Sequence, residues 1–173
     1  MGKPDDTQRA YGCAFCVTGK EWMAARHIER ISEDIRVMVP RQAKRKTMQG
    51  KTHTEEAVLF PGYIFFNACE SANIVPKFLQ GNLISILRSD TGDWRLYGND
   101  AKIAQWLFSY GGVVPFSKAC QEGDRIRIVS GPLKDLEGLI LRVVKRDRCA
   151  QVAVTFCNRI VKVWLGFEIV EKI

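Results

Sequence analysis

Hydrophobic and polar positions follow two different periods over the first forty residues. The apolar run at 10–17 predicts a strand, and the residues after it predict a helix that ends near residue 32 or 33. The apolar stripe of this helix consists of Ala24, Ile28 and Ile31. Thr18 and Glu21 have the spacing of a capping box at its start. A short strand at 35–39 follows and ends at Pro40.

The most strand-like stretch of the chain is VLFPGYIFF at 58–66, which has Pro61 and Gly62 in its middle. Proline removes a ladder hydrogen bond and glycine weakens strand packing, so we expect the strand to bend there. The bend would re-aim the aromatic side chains, because Phe60 and Tyr63 share a face of a strand only if a bulge intervenes.

The remaining pattern predicts two regions of different class. A helix at 71–80, the strand LISILRS and the amphipathic helix DAKIAQWLFSY, capped by Asn99 or Asp100, complete an α+β region with helices flanking an antiparallel sheet. From Arg125 onward, the short runs RIRIV, GLILRVVK, QVAVTF and IVKVWL, with a last strand after Gly166, predict a small all-β barrel. We therefore expect a first domain at 8–112, a linker at 113–120 and a second domain at 121–173.

Charge adds a preference for phosphate-bearing partners. The 173 residues carry a net charge of +7 and a pI of about 9.2. Residues 116–173 have 11 Lys and Arg against 7 Asp and Glu, so the short C-terminal part is the more basic per residue. No apolar run approaches the ~20 residues that cross a bilayer, and the N-terminus has no apolar signal-peptide core. We expect a cytoplasmic monomer with no membrane contact.

Neither a metal site nor an active site is predicted. Cys13 and Cys16 form a C-x-x-C, but they lie on a predicted strand, where residues three apart point to opposite faces. The other four cysteines form no second close pair of the kind that zinc sites use. The chain has two histidines and lacks the nucleophile elbow, the phosphate-binding glycine loop and the HExxH motif. We expect no cofactor, no metal and no enzymatic activity.

Two motifs carry a family resemblance. The stretch GDRIRIVSGPLKDLEG at 123–138 resembles the KOW motif of ribosomal proteins and transcription elongation factors. The opening strand with TGKE at 18–21, the V-x-V-P at 37–40 and FPGYIFF at 60–66 resemble the NGN domain of the NusG family. The order of NGN domain, linker and KOW domain covers nearly the whole chain. The long basic segment after Pro40 and the divergent linker are most similar to a specialised paralog of the LoaP type, an operon-specific antiterminator.

The resemblance implies a fold and a polymerase-binding surface. It implies an NGN domain at 8–112 and an SH3-like KOW barrel at 121–173. In the family, the FPGYIFF segment helps to form an apolar surface that docks on the clamp of RNA polymerase. By position, Phe60, Tyr63 and Phe65 match these contacts, and Phe15 matches an aromatic residue of the opening strand. The alternative for each of the four is an ordinary place in the core.

Three groups of basic residues are candidates for nucleic-acid contact. By resemblance, Lys20, Arg26, His27 and Arg30 near the first helix would meet non-template DNA beside the polymerase cleft. The segment 41–56 is expected to be a mobile loop or a hairpin tip, whose cations suit phosphate contact: Arg41, Lys44, Arg45, Lys46 and Lys51. The barrel candidates for RNA are Lys134, Arg142, Lys145, Arg146, Arg148, Arg159 and Lys162, with turns at one barrel end forming a patch. The alternative for every group is solvated surface charge.

The expected function is that of a transcription elongation and antitermination factor. Its KOW barrel would bind nascent RNA, with a hairpin as the favoured target, or a protein partner such as the ribosome or Rho. A rival from another class is a ribosome-associated or free RNA-binding protein without polymerase contact. A third alternative is a KOW domain that refolds as helices, which the Val- and Ile-rich strands argue against.

Overall fold

The computed structural model describes residues 8–31, 33–72, 74 and 83–173. They divide into two compact units. The first unit comprises Met1–Pro40 and Phe60–Gly112, and the second comprises Arg41–Leu59 and Val113–Ile173. The basic segment after Pro40 therefore belongs to the same unit as the C-terminal strands. Among the described residues, no helix is both long enough and apolar enough to cross a membrane.

The first unit is built on a four-stranded sheet with the order β2–β5–β1–β6. Its strands pair antiparallel: β1 (Arg9–Cys16), β2 (Arg36–Met38), β5 (Tyr63–Cys69) and β6 (Leu83–Ile86). Because side chains alternate along a strand, the two central strands present one set of residues to each face of the sheet.

Helix α1 (Glu21–Ile31) covers one face of this sheet. Its Ala24 and Ile28 belong to a core that includes Ala14, Ile64 and Phe66 of the central strands. Trp94 closes this core, with its ring centroid 5.4 Å from that of Phe66. The predicted stripe of α1 is confirmed at Ala24 and Ile28, which are fully buried, whereas Ile31 is half-buried.

Helix α2 (Gly98–Ser109) packs on the opposite face. Its Phe108 lies 5.2 Å from Tyr11, measured between ring centroids, and Tyr11 alternates with the α1-facing residues of β1. The N-cap is Tyr97, without a side-chain cap bond, so the expected caps Asn99 and Asp100 lie inside the helix. The reason is that the helix starts earlier than its apolar pattern, at Gly98.

The second unit contains a five-stranded sheet that curls into a half-barrel, with the order β10–β11–β12–β8–β9. Its strands are β8 (Ser117–Glu122), β9 (Arg125–Ser130), β10 (Ile140–Val144), β11 (Cys149–Phe156) and β12 (Arg159–Lys172). Helix α3 (Pro132–Asp135) and a 3₁₀ turn at Glu137–Leu139 connect β9 to β10. Alternate residues of β11, from Ala150 to Phe156, are buried and form its inner face.

A long hairpin completes the second unit. Strand β3 (Arg41–Met48) pairs antiparallel with β4 (Lys51–Val58) over eight residue pairs, and Arg41 and Gln42 pair in parallel with β7 (Val113–Val114). Gln49 and Gly50 form the tip, both with positive φ. Of the two alternatives for 41–56, the hairpin is correct and the loop is wrong, because each strand is paired throughout. We call residues 41–58 the basic hairpin.

The predicted fold class, an α+β domain followed by an all-β barrel, is confirmed. Two strand predictions are wrong. The stretch 58–66 is two strands joined by a turn, and Gly166 lies inside β12, because β12 continues past it to pair in parallel with β8. Most of the predicted helix at 71–80 lies outside the described residues. Residues 113–120 contain β7 and the start of β8, and the proposed domain boundaries stay a prediction.

Candidate protein and nucleic-acid interfaces

Four aromatic residues come together in the first unit. Phe15 of β1 lies opposite Tyr63 of β5 in the strand register, and their ring centroids are 4.9 Å apart. Phe60 lies 6.5 Å from Tyr63 and 6.1 Å from Phe65, again between ring centroids. We call Phe15, Phe60, Tyr63 and Phe65 the aromatic cluster. Phe15, Tyr63 and Phe65 alternate with the α1-facing residues, so they share the α2 face of the sheet.

Pro61 and Gly62 form a β-turn rather than a bulge. The backbone N–H of Tyr63 donates to the carbonyl of Phe60 at 3.1 Å, which closes a four-residue turn. Gly62 has φ +83°, the left-handed value that the third position of a type II turn requires, and proline is favoured before it. The turn brings Phe60 back against Tyr63 and Phe65, and the β1–β5 register runs without a shift up to Tyr63.

A buried carboxylate fixes this turn to the start of α1. Glu21 is 3% exposed, and its Oε1 accepts hydrogen bonds from the backbone N–H groups of Gly62, at 2.9 Å, and Gly19, at 3.0 Å. Burial alone would raise the pKa of Glu21, but hydrogen bonds from Gly19, Gly62 and its own backbone hold that pKa below the usual 4.5. The arrangement differs from the predicted capping box, because Glu21 bridges two turns.

The expected exposure of the aromatic cluster holds for only two of its members. Phe60 is 2% exposed and Phe65 is 0% exposed, so neither presents its ring to solvent, and this expectation is wrong for both. Phe65 is buried because it lies on the central strand β5, flanked by Cys13 of β1 and Met38 of β2. Phe15 and Tyr63 are half-buried and form the accessible edge of the cluster.

The basic residues near α1 lie largely at the surface. Lys20, Arg26 and Arg30 are exposed, and His27 is half-buried. Arg26 and Arg30 are four residues apart and therefore lie on the same side of the helix. The structure thus brings two of the four predicted DNA-binding side chains into one row, with Lys20 in the turn before the helix.

Sequence reasoning missed two exposed apolar residues of α1. Trp22 is 48% exposed and Met23 is 56% exposed. Trp22 precedes Arg26 by four residues and extends the arginine row by one helical turn. The signal was present in the sequence, because both residues fall outside the stripe of Ala24 and Ile28.

Ion pairs link the two strands of the basic hairpin, and a hydrogen bond connects the hairpin to β12. Arg41 pairs with Glu56, and Lys46 Nζ lies 3.1 Å from a carboxylate oxygen of Glu55. Arg45 donates from Nη1 to the carbonyl of Phe167 at 2.8 Å. Lys44 and Lys51 are exposed. The five cations therefore stand on a structured ribbon, part of whose charge is already neutralised.

All seven predicted RNA-binding residues of the barrel are exposed. Three have acidic neighbours: Lys134 with Glu137 at 2.6 Å, Lys145 with Asp124 at 3.6 Å and Arg146 with Asp147 at 3.9 Å. Exposed pairs of this kind are worth little, so these cations can exchange partners readily. Arg142 instead lies over the ring of Trp164, 4.8 Å from its centroid.

The seven residues do not form one patch at one end of the barrel. Arg146 and Arg148 lie in the turn that precedes β11, whereas Arg159 starts β12 opposite Phe156, at the far end of β11. Eight residues of extended strand separate the two turns by about 26 Å, at ~3.3 Å per residue. The expectation of a single patch made by these turns is wrong, because successive turns around one antiparallel strand lie at its opposite ends.

The cysteines that the structure describes form no disulfide, and Cys13 and Cys16 are arranged as the strand pattern predicts. Cys16 belongs to the core under α1, and Cys13 alternates with it and points to the other face of the sheet. Burial, reinforced by the nearby charge of Glu21, raises the pKa of the Cys16 thiol to about 11. Within the part of the chain that the structure describes, no group of three metal-ligating side chains is present.

Comparison with known proteins finds similarity over most of the chain. No protein-family model matches it. The chain is 25% identical over 171 residues to the transcription termination/antitermination protein NusG of Borreliella burgdorferi, with 84% of this chain and 92% of the relative covered. A solved structure of the domain interaction in Thermotoga maritima NusG is similar in fold, with a TM-score of 0.59 and 18% identity. That alignment covers 92% of this chain and 94% of the other.

Proposed function

We propose that this chain is a transcription elongation and antitermination factor of the NusG family that binds RNA polymerase and suppresses pausing and termination. The relative from Borreliella burgdorferi bears the name of a termination and antitermination protein. The first unit would bind the polymerase clamp and the second unit would bind nascent RNA. We assign no chemical reaction and no cofactor to the chain.

The observation that carries the polymerase contact is the accessible edge of the aromatic cluster. Phe15 and Tyr63 are half-buried, pack on each other at 4.9 Å and rest on the buried rings of Phe60 and Phe65. A rigid aromatic pair backed by a dry core is typical of the anchor residues that dominate protein interfaces. Phe60 and Phe65 would act by holding this pair in place.

A shift in the clamp equilibrium is sufficient for the activity. If the first unit binds the closed clamp more tightly than the open one, a difference in binding free energy of about 3 kcal/mol moves most polymerase into the closed state. The row of Trp22, Arg26 and Arg30 on α1, with Lys20 before it, would meet non-template DNA beside the cleft. Such contacts would add a salt-dependent term to binding.

RNA binding by the second unit rests on its exposed cations. The seven barrel cations and the basic hairpin belong to the same compact unit. This concentration of exposed positive charge favours RNA over a protein partner such as the ribosome or Rho. The long basic hairpin also supports a specialised paralog of the LoaP type, which would act on one operon through an RNA hairpin signal.

A transcription assay with a terminator template tests the polymerase contact. Tyr63→Ser and Phe15→Ser should lower read-through and co-purification with polymerase, because they remove the accessible edge. Met23→Ser is the matched control, since it removes an exposed apolar side chain from the helix on the other face of the sheet. Folded Tyr63→Ser and Phe15→Ser proteins that still promote read-through would refute the docking surface. A loss with Met23→Ser alone would move the contact to α1.

A further inference from the structure

Two arginine–aromatic stacks lie side by side on the outer face of β12. The guanidinium carbon of Arg142 is 4.8 Å from the ring centroid of Trp164, and that of Arg45 is 4.3 Å from the ring centroid of Phe116. Arg142 comes from β10, and Arg45 comes from the basic hairpin. Each stack therefore joins an arginine to an aromatic residue of another segment.

The strand register places Trp164 and its arginine in one row. Arg142 opposes Gln151 on β11, and Gln151 opposes Trp164 on β12, so all three side chains point to the same face. The neighbours of Gln151 on β11, Ala150 and Val152, are fully buried, so this face is the outer one.

The ring of Phe116 lies over the same face at Gly166, which is two residues beyond Trp164 on β12. A Cβ added to Gly166 would lie 2.5 Å from the Phe116 ring, so the ring packs directly on the Gly166 backbone. Gly166 opposes Cys149, which alternates with the buried Ala150 of β11 and therefore faces outward. Residues two apart on a strand are separated by about 6.7 Å. The two stacks thus lie at positions two residues apart along β12.

Positive charge surrounds these platforms. Lys162 is exposed and lies two residues before Trp164 on the same face, opposite Ala153. Arg142 and Arg45 add two further cations to this face. The acid Glu168 lies 3.4 Å from Arg45. Cations outnumber acids on this face.

We propose that this face of β12 binds unpaired nucleotides of single-stranded RNA, with bases stacked at Arg142–Trp164 and Arg45–Phe116 and phosphates near Lys162. The proposal rests on the RNA-binding role proposed above and names the site and the form of RNA. Stacking on a side chain needs an exposed base face, which an RNA duplex hides inside its helix. Arginine planes accept a base on the side that is turned away from the aromatic ring.

The basic hairpin is a structural part of this site. Arg45 supplies one stack and donates a hydrogen bond to the carbonyl of Phe167, which keeps its guanidinium over β12. Lys44, its neighbour in sequence, opposes Glu55 and alternates with Arg45, so it points to the other face of the hairpin and is not part of the stack. A barrel without this hairpin would therefore retain the Trp164 stack and lose the Phe116 stack.

Fluorescence anisotropy with the full chain tests the site. The probes are a labelled, unstructured ten-nucleotide RNA and a duplex of the same length, each titrated over a range of salt concentrations. Trp164→Leu should weaken single-strand binding roughly tenfold, because without the ring the Arg142 guanidinium is no longer held as a plane on which a base can stack. The salt slope should stay unchanged, because no cation is removed. Arg142→Gln should lower both the affinity and, by about one unit, the salt slope.

Arg127→Gln is the matched control for charge. Arg127 is an exposed arginine of β9 that pairs with Glu122, so its loss removes the same charge without touching either stack. It should weaken binding less than Arg142→Gln. Quenching of tryptophan fluorescence by the RNA gives a second readout, which should be lost in Trp164→Leu. Circular dichroism checks that the variants fold, and Arg142→Gln alone decides the matter if Trp164→Leu does not fold.

The outcomes separate this site from the general RNA-binding role. Single-strand affinity within twofold of the unaltered protein in both Trp164→Leu and Arg142→Gln, or tighter binding of the duplex, would overturn the site. If charge reversal at Arg146 and Arg148 then still weakens binding, the RNA-binding role stands without this site. Failure of the unaltered protein to bind either RNA would overturn both proposals.

Discussion

Replacement of Glu21 by glutamine is expected to loosen the support of the aromatic cluster. Glu21 Oε1 accepts two backbone hydrogen bonds, from Gly19 and Gly62, in a nearly water-free position. Glutamine keeps the shape and an accepting oxygen but removes the negative charge. Glu21→Gln therefore isolates the contribution of charge from that of packing.

The magnitude follows from the two bonds. Hydrogen bonds to a charged group contribute about 1.5–3 kcal/mol net, and neutral ones contribute about 0.5–1.5 kcal/mol. The loss of charge on an oxygen that accepts two bonds should lower the free energy of unfolding by roughly 2 kcal/mol. With a urea dependence of about 2 kcal/mol per molar, the unfolding midpoint should fall by about 1 M.

The effect should depend on pH in a defined direction. The folded-state pKa of Glu21 lies below the usual 4.5, so its carboxylate stabilises the fold above that pH. This stabilisation is lost as the pH falls from 4.5 through the folded-state pKa. Because Glu21→Gln has no charge to lose, the stability difference between the two proteins should be full at pH 7 and should shrink below pH 4.5.

Urea unfolding followed by tryptophan fluorescence measures this difference. In a Trp164→Phe background, the remaining tryptophans, at 22, 94 and 106, all lie in the first unit and report on it alone. Glu29→Gln, an exposed change on the same helix, is the control for loss of charge. A Glu21→Gln midpoint within 0.2 M of the parent, where a shift of about 1 M is expected, or a difference that persists unchanged at low pH, would refute the reasoning.

Three further predictions concern packing and backbone geometry. Gly62→Ala should destabilise the chain more than Gly50→Ala in urea unfolding. Both glycines have positive φ, but only Gly62 is crowded, because an added Cβ would lie 3.1 Å from Thr18 Oγ1. Equal losses of stability would contradict this. Phe65→Ala should cost about 3–5 kcal/mol of unfolding free energy, as for other buried rings, and a variant of unchanged stability would show that the ring is not part of the core. Gly166→Ala should displace the Phe116 ring and speed amide hydrogen exchange along β3, as measured by mass spectrometry, whereas unchanged exchange would mean that this ring does not hold the hairpin.

The fold class could be predicted from the sequence because its elements have clear periods. The stripe of α1 and the short β-rich runs after residue 125 are local signals, and both are confirmed. The turn at Pro61 and Gly62 could not be distinguished from a bulge, since hydrophobicity continues on both sides of it. What decides it is the positive φ of Gly62 and its bond to Glu21, a residue 41 positions away.

Long-range pairing explains what the sequence did not reveal. The sequence does not distinguish β8 from the linker predicted at 113–120, because the partner of β8 in parallel pairing, the end of β12, is about fifty residues away. The site on β12 combines Arg45 with Trp164, residues that no local pattern links. By contrast, the sequence alone could have shown that Arg159 and the turn of Arg146 lie at opposite ends of the sheet, because successive turns of an antiparallel meander do so.

Burial, too, could be predicted only in part. The family resemblance predicts one shared surface for four aromatic residues, and their rings do form one cluster: Phe15, Phe60, Tyr63 and Phe65. Which rings reach the surface depends on the strand order, since β5 is a central strand and Phe65 has a neighbour on each side. Strand order is not encoded in the alternation of a single strand.

Photo-crosslinking tests most directly whether the chain binds polymerase through the aromatic cluster. A photoreactive phenylalanine analogue in place of Tyr63 would be irradiated in the full-length protein, bound to a transcribing polymerase with nascent RNA present. We expect a crosslink to polymerase from position 63 and none from the same analogue in place of Met23. A crosslink from position 23 alone, or no crosslink to polymerase while the protein still promotes read-through, would contradict the account.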